Sequence, residues 1–290
     1  TGSDLSEGKH IPGLRERGGQ IHIGHDSALV AGVDVVVRST AIPDHNVEIE
    51  EANRLKIPVI ARAEMLGELM RMKDGVAVAG THGKTTTTSM LARCMDACQL
   101  GPTVVIGGKL DHLGSNTRLG EGQFMVAEAD ESDGSFLLLS PVITIVTNIE
   151  AEHLDHWTNL DNLLNGFAEF CNRVPFFGFA AVCLDDPNVQ RLLPRIRRMV
   201  WTYGLSAQAD LRATQIRQVG LDTHFSVVAR GRELGAIRLA MPGTHNIQNA
   251  LAAILVCLEQ GGDFAAIQAG LAGFSGVDRR FTIRAEISSK

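Results

Sequence analysis

Short runs of apolar and β-branched residues recur along the chain, and each run is closed by glycine or polar residues. Runs of this length without polar alternation are typical of strands that are buried on both faces, as in a parallel sheet. The predicted strands cover residues 33–37, 76–79, 103–106, 124–127, 142–146, 180–184 and 199–201. Helical periodicity between them predicts helices over 85–98 and 159–173, so the pattern indicates an α/β doubly wound fold.

The pattern changes between residues 209 and 241, where polar and apolar residues alternate. Alternation of this kind predicts strands with one solvated face, and here it indicates a small antiparallel meander appended to the parallel sheet. Helical patterns follow over residues 246–260 and 264–271.

The length of 290 residues lies at the upper limit for one hydrophobic core, which favours more than one domain. A polar and glycine-containing boundary at residues 73–75 separates a first unit, 1–74, from a central unit, 75–276. Residues 277–290 are predicted to begin a third domain. The chain opens with "TGSDL" and stops within a strand-like segment, so we expect it to be a fragment of a longer protein.

The net charge of −6 argues against a protein that coats DNA or RNA, because such a role needs a surplus of Lys and Arg. It leaves room for an anionic small substrate in one basic pocket. The five cysteines are scattered through apolar segments, which favours reduced and mostly buried thiols. No apolar run reaches membrane-spanning length and no signal peptide opens the chain, so we expect a cytoplasmic protein without a membrane partner.

The segment "VAGTHGKTTTT", residues 78–88, has the strand, glycine turn and helix order of a phosphate-binding loop. Val78 stands where the usual motif has a glycine, which predicts a shorter loop. Gly80 and Gly83 let backbone N–H groups approach phosphate oxygens, Lys84 supplies a positive charge, and the Thr85 hydroxyl can ligate magnesium. The alternative is an ordinary glycine turn with a solvated lysine, but four consecutive threonines are poor helix formers and disfavour it.

Two later strands end in candidate metal ligands. The segment "EADESD" supplies four carboxylates, of which at least two could be a solvated turn: Glu128, Asp130, Glu131 and Asp133. Ligands of open α/β sheets bind at the carboxyl ends of strands, so Glu128 is well placed to bind a metal ion there. The segment "NIEAEHLDHW" adds His153 and His156, but a zinc site lacks a clear third ligand. One histidine near a nucleotide-bound metal is the simpler interpretation.

Five ordered motifs, "GTHGKTTTT", "EADESD", "NIEAEHLDHW", "MPGTHNIQNALAA" and "GVDRRF", closely resemble those of the Mur ligase family of peptidoglycan synthesis. The resemblance extends over essentially the whole chain, and the family uses the shortened loop G-[ST]-x-G-K-[ST]. It implies a cell-wall biosynthetic ligase that needs ATP and Mg²⁺. Within the family the motifs are most similar to members that join L-alanine to UDP-N-acetylmuramate through an acyl phosphate.

The resemblance also implies roles for individual residues. The nucleotide-binding loop comprises Gly80, Thr81, His82, Gly83, Lys84, Thr85 and Thr86, and the residues of the adenine side are Asn246 and Asn249. Magnesium is expected at Thr85, Glu128 and His153. Arg280 is expected to face the phosphates, so Lys84, Glu128, His153 and Arg280 are the predicted catalytic residues.

The first unit resembles a truncated Rossmann-like domain that binds the UDP-sugar. Asp4, Ser39 and Thr40 lie in segments similar to uridine-nucleotide loops, although Ser39 and Thr40 fit an ordinary strand-end turn equally well. The glycine-rich loop expected before Gly2 and most of the C-terminal domain expected after Arg280 are not in the sequence. We therefore expect the 290-residue polypeptide alone to be a poor or inactive ligase.

Two other functions stay open at this point. One is a recycling ligase that joins UDP-N-acetylmuramate to a tripeptide, and the other is a binding module switched by ATP hydrolysis. The only lysines after Lys84 are Lys109 and Lys290, and neither matches the carbamylated lysine of several related ligases. That absence favours the alanine-adding type. The sequence gives no prediction of the oligomeric state.

Overall fold

The computed structural model describes residues 1–39, 41–107, 117–274 and 276. Contacts divide the chain into two compact units, Thr1–Leu66 and Gly67–Lys290. The limits predicted from the sequence, 1–74, 75–276 and 277–290, stay predictions, and the last of these segments lies outside the described residues.

The first unit contains two small parallel sheets. Strands β1 (Gly2–Asp4) and β2 (Ile21–Ile23) form one sheet, and β3 (Val36–Arg38) and β4 (Val59–Ala61) form the other. Helix α1 (Ile11–Glu16) connects β1 to β2, and α2 (Val47–Leu55) connects β3 to β4. The division between the units falls within helix α3 (Arg62–Met70).

The second unit is built on a ten-stranded sheet of order β14-β13-β12-β11-β10-β9-β5-β8-β6-β7. Its strands are β5 (Asp74–Ala79), β6 (Thr103–Val105), β7 (Thr117–Arg118), β8 (Phe124–Glu128), β9 (Ile143–Val146), β10 (Phe179–Cys183), β11 (Met199–Gly204), β12 (Leu211–Val219), β13 (Asp222–Ala229) and β14 (Arg232–Leu239). Its helices are α4 (Lys84–Ala97), α5 (Leu154–Trp157), α6 (Leu160–Asn172), α7 (Pro187–Leu192), α8 (Thr244–Glu259) and α9 (Phe264–Ala272).

Six neighbouring strands of this sheet, β11-β10-β9-β5-β8-β6, are parallel, and those at its centre are buried along most of their length. The α/β fold class predicted from the apolar runs is therefore confirmed. Strand β12 pairs in parallel with the end of β11, and β13 and β14 follow antiparallel. The predicted meander thus extends the same sheet.

Helices α8 and α9 pack against α4 and hold it on the sheet. Met90, Met95 and Leu251 are fully buried in one cluster with the β-strand residues. Gly270 of α9 lies so close to α4 that a Cβ there would be 3.0 Å from the Arg93 carbonyl oxygen. Close packing of this kind fixes the direction of α4, and with it the position of the loop from which α4 begins.

An aromatic cluster joins helices α5 and α6 to the segment between β8 and β9. The Phe136 ring lies 5.0 Å from that of Phe170 and 5.4 Å from that of Phe167, and the edge of Trp157 completes the group at 6.0 Å. Such pairs add directional packing to area burial. The cluster anchors the segment between β8 and β9, which carries the acidic motif.

Among the described helices, none combines the length and apolar character needed to cross a membrane.

The five cysteines are free thiols, and all but Cys98 are buried. A hydrogen bond with Cys257 lowers the pKa of Cys98 to about 7, although partial burial opposes the shift. Burial raises the pKa of Cys171 and of Cys183 to about 12. Since the thiolate is the nucleophile, Cys98 is the candidate reactive thiol near neutral pH.

We expect iodoacetamide to alkylate Cys98 before Cys171 and Cys183 in the native chain. The rate should fall about tenfold between pH 8 and pH 6, because the thiolate fraction falls by that factor around a pKa near 7. Peptide mass spectrometry of the labelled protein measures each site, and Cys98→Ser serves as the control. Equal labelling of Cys171 without denaturant would contradict the assignment.

Candidate functional site

The turn between β5 and α4 contains two glycines whose backbone geometry other residues rarely adopt. Gly80 has φ +133° and Gly83 has φ +84°. A Cβ at Gly80 would lie 2.1 Å from Thr147 Oγ1, and a Cβ at Gly83 would lie 2.7 Å from Asn249 Oδ1. Both positions therefore need glycine for conformation and for space.

The end of strand β9 holds the tip of this loop in place. The His82 backbone N–H donates to Asn148 Oδ1 (2.8 Å), and Asn148 Nδ2 donates back to the His82 carbonyl (3.0 Å). Thr147 Oγ1 donates to the same carbonyl (2.6 Å), and the Glu150 N–H donates to Thr81 Oγ1 (2.8 Å). The loop is thus pre-formed by the segment that directly follows β9, the strand beside β5 in the sheet.

Helix α4 begins at Lys84, and its first turn contains the buried residues Thr85 and Thr86. The Thr87 N–H already bonds to the Gly83 carbonyl (2.9 Å), so the N–H groups that precede it are the unpaired donors of a helix start. Together with the partial positive charge of the helix end, they form a binding site for an anion such as phosphate.

The Lys84 ammonium group lies beside this loop. Its Nζ donates to the Gly80 carbonyl (2.7 Å) and to both carboxylate oxygens of Glu131 (2.8 and 3.0 Å). The Lys84 side chain is 19% exposed and that of Glu131 is 3% exposed. The sequence left open the roles of the acidic residues after β8, and the structure identifies Glu131 as the one that pairs with the loop lysine.

Two neighbouring acids cap turns instead. Asp130 Oδ1 accepts from the Ser132 N–H (3.1 Å), and Asp133 Oδ1 accepts from the Ser135 N–H (2.9 Å). Burial opposes ionisation of Asp133, but the hydrogen bonds from Ser135 outweigh it and lower the pKa of this carboxyl. These two residues shape the acidic segment rather than contact the lysine.

Glu128 is the last residue of β8 and lies opposite Val78 of β5. Its Oε2 accepts from the Gly107 N–H (2.9 Å), whereas its buried Oε1 has no hydrogen-bond partner among the described residues. A buried carboxylate oxygen without a partner is costly, and a cation would satisfy it. Carboxylate and hydroxyl oxygens are the ligands that Mg²⁺ prefers, so Glu128 and Thr85 fit a magnesium ion.

A second group of donors lies at the outer side of the loop. His82 Nε2 is 3.6 Å from Glu150 Oε2 and 3.8 Å from Glu152 Oε1, and all three residues are exposed. The group includes neither Glu128 nor His153. His153 is exposed and has φ +53° immediately before α5, and its predicted role at a metal stays a prediction.

The two asparagines of α8 are buried. Asn246 Nδ2 donates to the Pro242 carbonyl (2.7 Å), and Asn249 Oδ1 accepts from Thr87 Oγ1 (3.1 Å). Asn249 also lies against Gly83, as the distance from a Cβ there shows. Helix α8 therefore supports the loop through Asn249, and the contact of either residue with adenine stays a prediction.

The first unit has a pocket of about 360 Å³ whose lining includes two of the predicted substrate residues, Asp4 and Ser39. It also contains a polar group that the sequence did not indicate. Ser3 Oγ lies 2.9 Å from His25 Nδ1 and donates to Glu48 Oε2 (2.9 Å). Thr40 and Arg280, the other predicted site residues, lie outside the described residues.

Comparison with protein families identifies two matches. The family model of the Mur ligase middle domain matches residues 78–257, which include the loop, Glu128 and Asn249. The model described as Mur ligase family, catalytic domain, matches residues 1–74.

Curated relatives include two named UDP-N-acetylmuramate–L-alanine ligase. The protein of Pelobacter propionicus is 53% identical over 287 residues, and that of Geobacter sp. strain M21 is 54% identical over 286 residues. Each alignment covers 99% of this chain and 62% of the relative. The chain therefore spans about 62% of the length of the curated relatives it matches.

Two solved structures are similar over almost the whole chain. The UDP-N-acetylmuramate-alanine ligase of Thermotoga maritima has a TM-score of 0.79 at 28% identity, covering 98% of this chain and 65% of its own. The UDP-N-acetylmuramate:L-alanyl-γ-D-glutamyl-meso-diaminopimelate ligase of Neisseria meningitides has a TM-score of 0.83 at 26% identity, covering 96% of this chain and 90% of its own. The fold, the glycine loop and the family matches agree, and the chain belongs to the Mur ligase family.

Proposed function

We propose that this chain is the nucleotide- and sugar-binding part of an ATP-dependent ligase that joins L-alanine to UDP-N-acetylmuramate. The observation that carries the proposal is the pre-formed loop, in which Lys84 is the first residue of α4 and its ammonium bonds to the Gly80 carbonyl, together with the buried Glu128 Oε1, which has no hydrogen-bond partner among the described residues. Relatives of the same name at 53–54% identity support the choice of substrates.

The first step is transfer of the γ-phosphoryl group. The lactyl carboxylate of the sugar attacks the γ-phosphorus, a P–O bond forms to give the acyl phosphate, and the P–O bond to ADP breaks. A carboxylate is a poor electrophile, so this step gives its carbon a good leaving group. The ammonium of Lys84 and the N–H groups of α4 offset the repulsion between the two anions.

Magnesium, held by Thr85 and Glu128, would neutralise charge on the phosphates when it is bound. Glu128 is suited to this task because its Oε2 is already oriented by the Gly107 N–H, which leaves Oε1 free. Asn148 and Thr147 keep the loop in shape, so that binding does not have to order it.

In the second step the amine of L-alanine attacks the acyl carbon. A C–N bond forms, the amine loses a proton, and the C–O bond to phosphate breaks. The pocket of the first unit, with Asp4 and Ser39 in its lining, is proposed to hold the uridine end of the sugar nucleotide. Carboxylate and hydroxyl groups there can bond to ribose hydroxyls.

The test is product formation by the protein extended to the length of its relatives. We expect phosphate release that requires ATP, Mg²⁺, UDP-N-acetylmuramate and L-alanine together, and trapping of the acyl phosphate with hydroxylamine when L-alanine is omitted. Turnover with L-alanyl-γ-D-glutamyl-meso-diaminopimelate instead of L-alanine would support the recycling activity. The similarity to the Neisseria meningitides structure is the observation that favours this second candidate. ATP hydrolysis independent of the sugar would contradict both ligase activities.

A further inference from the structure

Glu131 has the contacts of a residue that serves the loop lysine. Both of its carboxylate oxygens accept from Lys84 Nζ, at 2.8 and 3.0 Å, and the residue is 2% exposed. A carboxylate this deeply buried needs a charged partner, and Lys84 is its only ion-pair partner among the described residues.

The backbone at Glu131 is held by contacts that do not involve the lysine. Trp157 Nε1 donates to the Glu131 backbone carbonyl (2.8 Å), and the Phe136 N–H donates to the neighbouring Asp130 carbonyl (3.1 Å). Trp157 itself lies in the aromatic cluster and against Gly166, where a Cβ would be 2.5 Å from its ring. The carboxylate is therefore carried by a backbone segment that is packed within the second unit.

The ammonium group is held from two sides. The Gly80 carbonyl accepts from it at 2.7 Å and the Thr81 carbonyl at 3.4 Å, and both carboxylate oxygens of Glu131 accept as well. An ammonium has three N–H donors, so one of the two contacts with Glu131 can be exchanged for a phosphate oxygen while the other is kept. A lysine side chain without such partners is long and flexible, and ordering it on binding costs conformational entropy.

We infer that Glu131 is a positioning residue, which holds the Lys84 ammonium beside the Gly80 carbonyl so that an incoming nucleotide phosphate meets a lysine already in place. The inference rests on the proposed function, since it assigns Glu131 a part in nucleotide binding by the same loop. Glu131 acts through Lys84 and makes no contact with the substrates.

The experiment measures the dissociation constant of ADP with Mg²⁺ by calorimetry on the 290-residue chain, which needs no ligation. Glu131→Gln keeps an acceptor oxygen but loses the charge, and we expect roughly fivefold weaker binding; Glu131→Leu removes both and should weaken binding by roughly 30-fold. A smaller loss of ADP affinity in Glu131→Gln than in Glu131→Leu would indicate that residue 131 positions the lysine through a hydrogen bond.

A double-mutant comparison tests whether the effect passes through the lysine. In the Lys84→Met background, the further change Glu131→Gln should leave ADP binding unchanged, because no ammonium remains to be held. Asp96→Asn is the matched control, since it weakens another ion pair of the second unit, in which the Arg118 guanidinium donates from Nη2 to Asp96 Oδ1 at 2.8 Å. It should change the melting temperature without changing ADP binding.

Each outcome distinguishes the possibilities. Unchanged or tighter ADP binding in Glu131→Gln would overturn the inference, because it would mean that the carboxylate is inert or competes with phosphate. Equal losses of ADP affinity in Glu131→Gln and Asp96→Asn would overturn the inference as well, since they would indicate general destabilisation of the second unit. A wild-type chain that binds no ADP with Mg²⁺ would overturn the proposed function and the inference with it.

Discussion

Replacing Lys84 with methionine is expected to remove most of the ligation activity of the protein extended to the length of its relatives. Methionine keeps the length and the apolar stem of the side chain but removes the ammonium that bonds to Gly80 and Glu131. Loss of a charged donor at the reacting phosphate typically costs roughly 10²–10³-fold in turnover. Phosphate release with all three substrates measures the effect.

The same change should also destabilise the second unit. It leaves the buried carboxylate of Glu131 without its partner, and breaking such a pair costs about 3–5 kcal/mol of unfolding free energy. The double variant Lys84→Met, Glu131→Gln should recover most of that stability without recovering activity. Denaturant unfolding separates the two effects.

Lys73→Met is a matched control for the lysine. Lys73 Nζ also bonds to backbone carbonyls, those of Gly120 and Gly122, but it lies outside the loop. We expect this variant to lose stability and to keep turnover in the folded fraction. If Lys84→Met retained wild-type turnover, the loop would not be the site of phosphoryl transfer.

Replacing Gly80 with alanine is expected to remove nucleotide binding together with part of the fold's stability. The added methyl group would start 2.1 Å from Thr147 Oγ1 and 2.9 Å from the Asn148 carbonyl, at a φ of +133° that an alanine rarely adopts. Either the loop or the end of β9 must move, which breaks the contacts that shape the loop. The expected loss is about 3 kcal/mol or more.

Gly231→Ala provides the control for backbone strain alone. Gly231 has φ +83°, and a Cβ there would meet nothing within 4 Å. It should cost only about 1 kcal/mol and leave ADP binding intact. Thermal unfolding and calorimetry with ADP and Mg²⁺ measure both variants, and similar behaviour of the two would contradict the steric explanation for Gly80.

The sequence predicted most of the second unit because its signals are local. The apolar runs at 124–127 and 142–146 become β8 and β9, and the alternation over 209–241 becomes the meander. Burial on both faces selects such runs for a parallel sheet whatever their order in space. Helices α4 and α6 begin and end within one or two residues of the predicted limits.

The candidate site was predicted only where one segment carries the chemistry. The glycines, Lys84 and Thr85 occur together in the motif, and Glu128 ends a later apolar run, strand β8. The support from Thr147 and Asn148 was missed, because it depends on β9 lying next to β5 in the sheet. The polar group of Ser3, His25 and Glu48 was missed for the same reason, since its members come from three separate segments.

The sequence by itself determined that this protein has a parallel α/β unit with a shortened phosphate-binding loop, since continuous apolar runs, glycine placement and a lysine at a helix start are properties of neighbouring residues. Only the tertiary structure decided which acidic residue meets that lysine. Four carboxylates lie within six residues of one another, and their spacing in the chain does not say which way each side chain points. Trp157 and Phe136 hold the backbone at Glu131 and Asp130, and the Glu131 carboxylate bonds to Lys84, while turn hydrogen bonds hold Asp130 and Asp133 elsewhere.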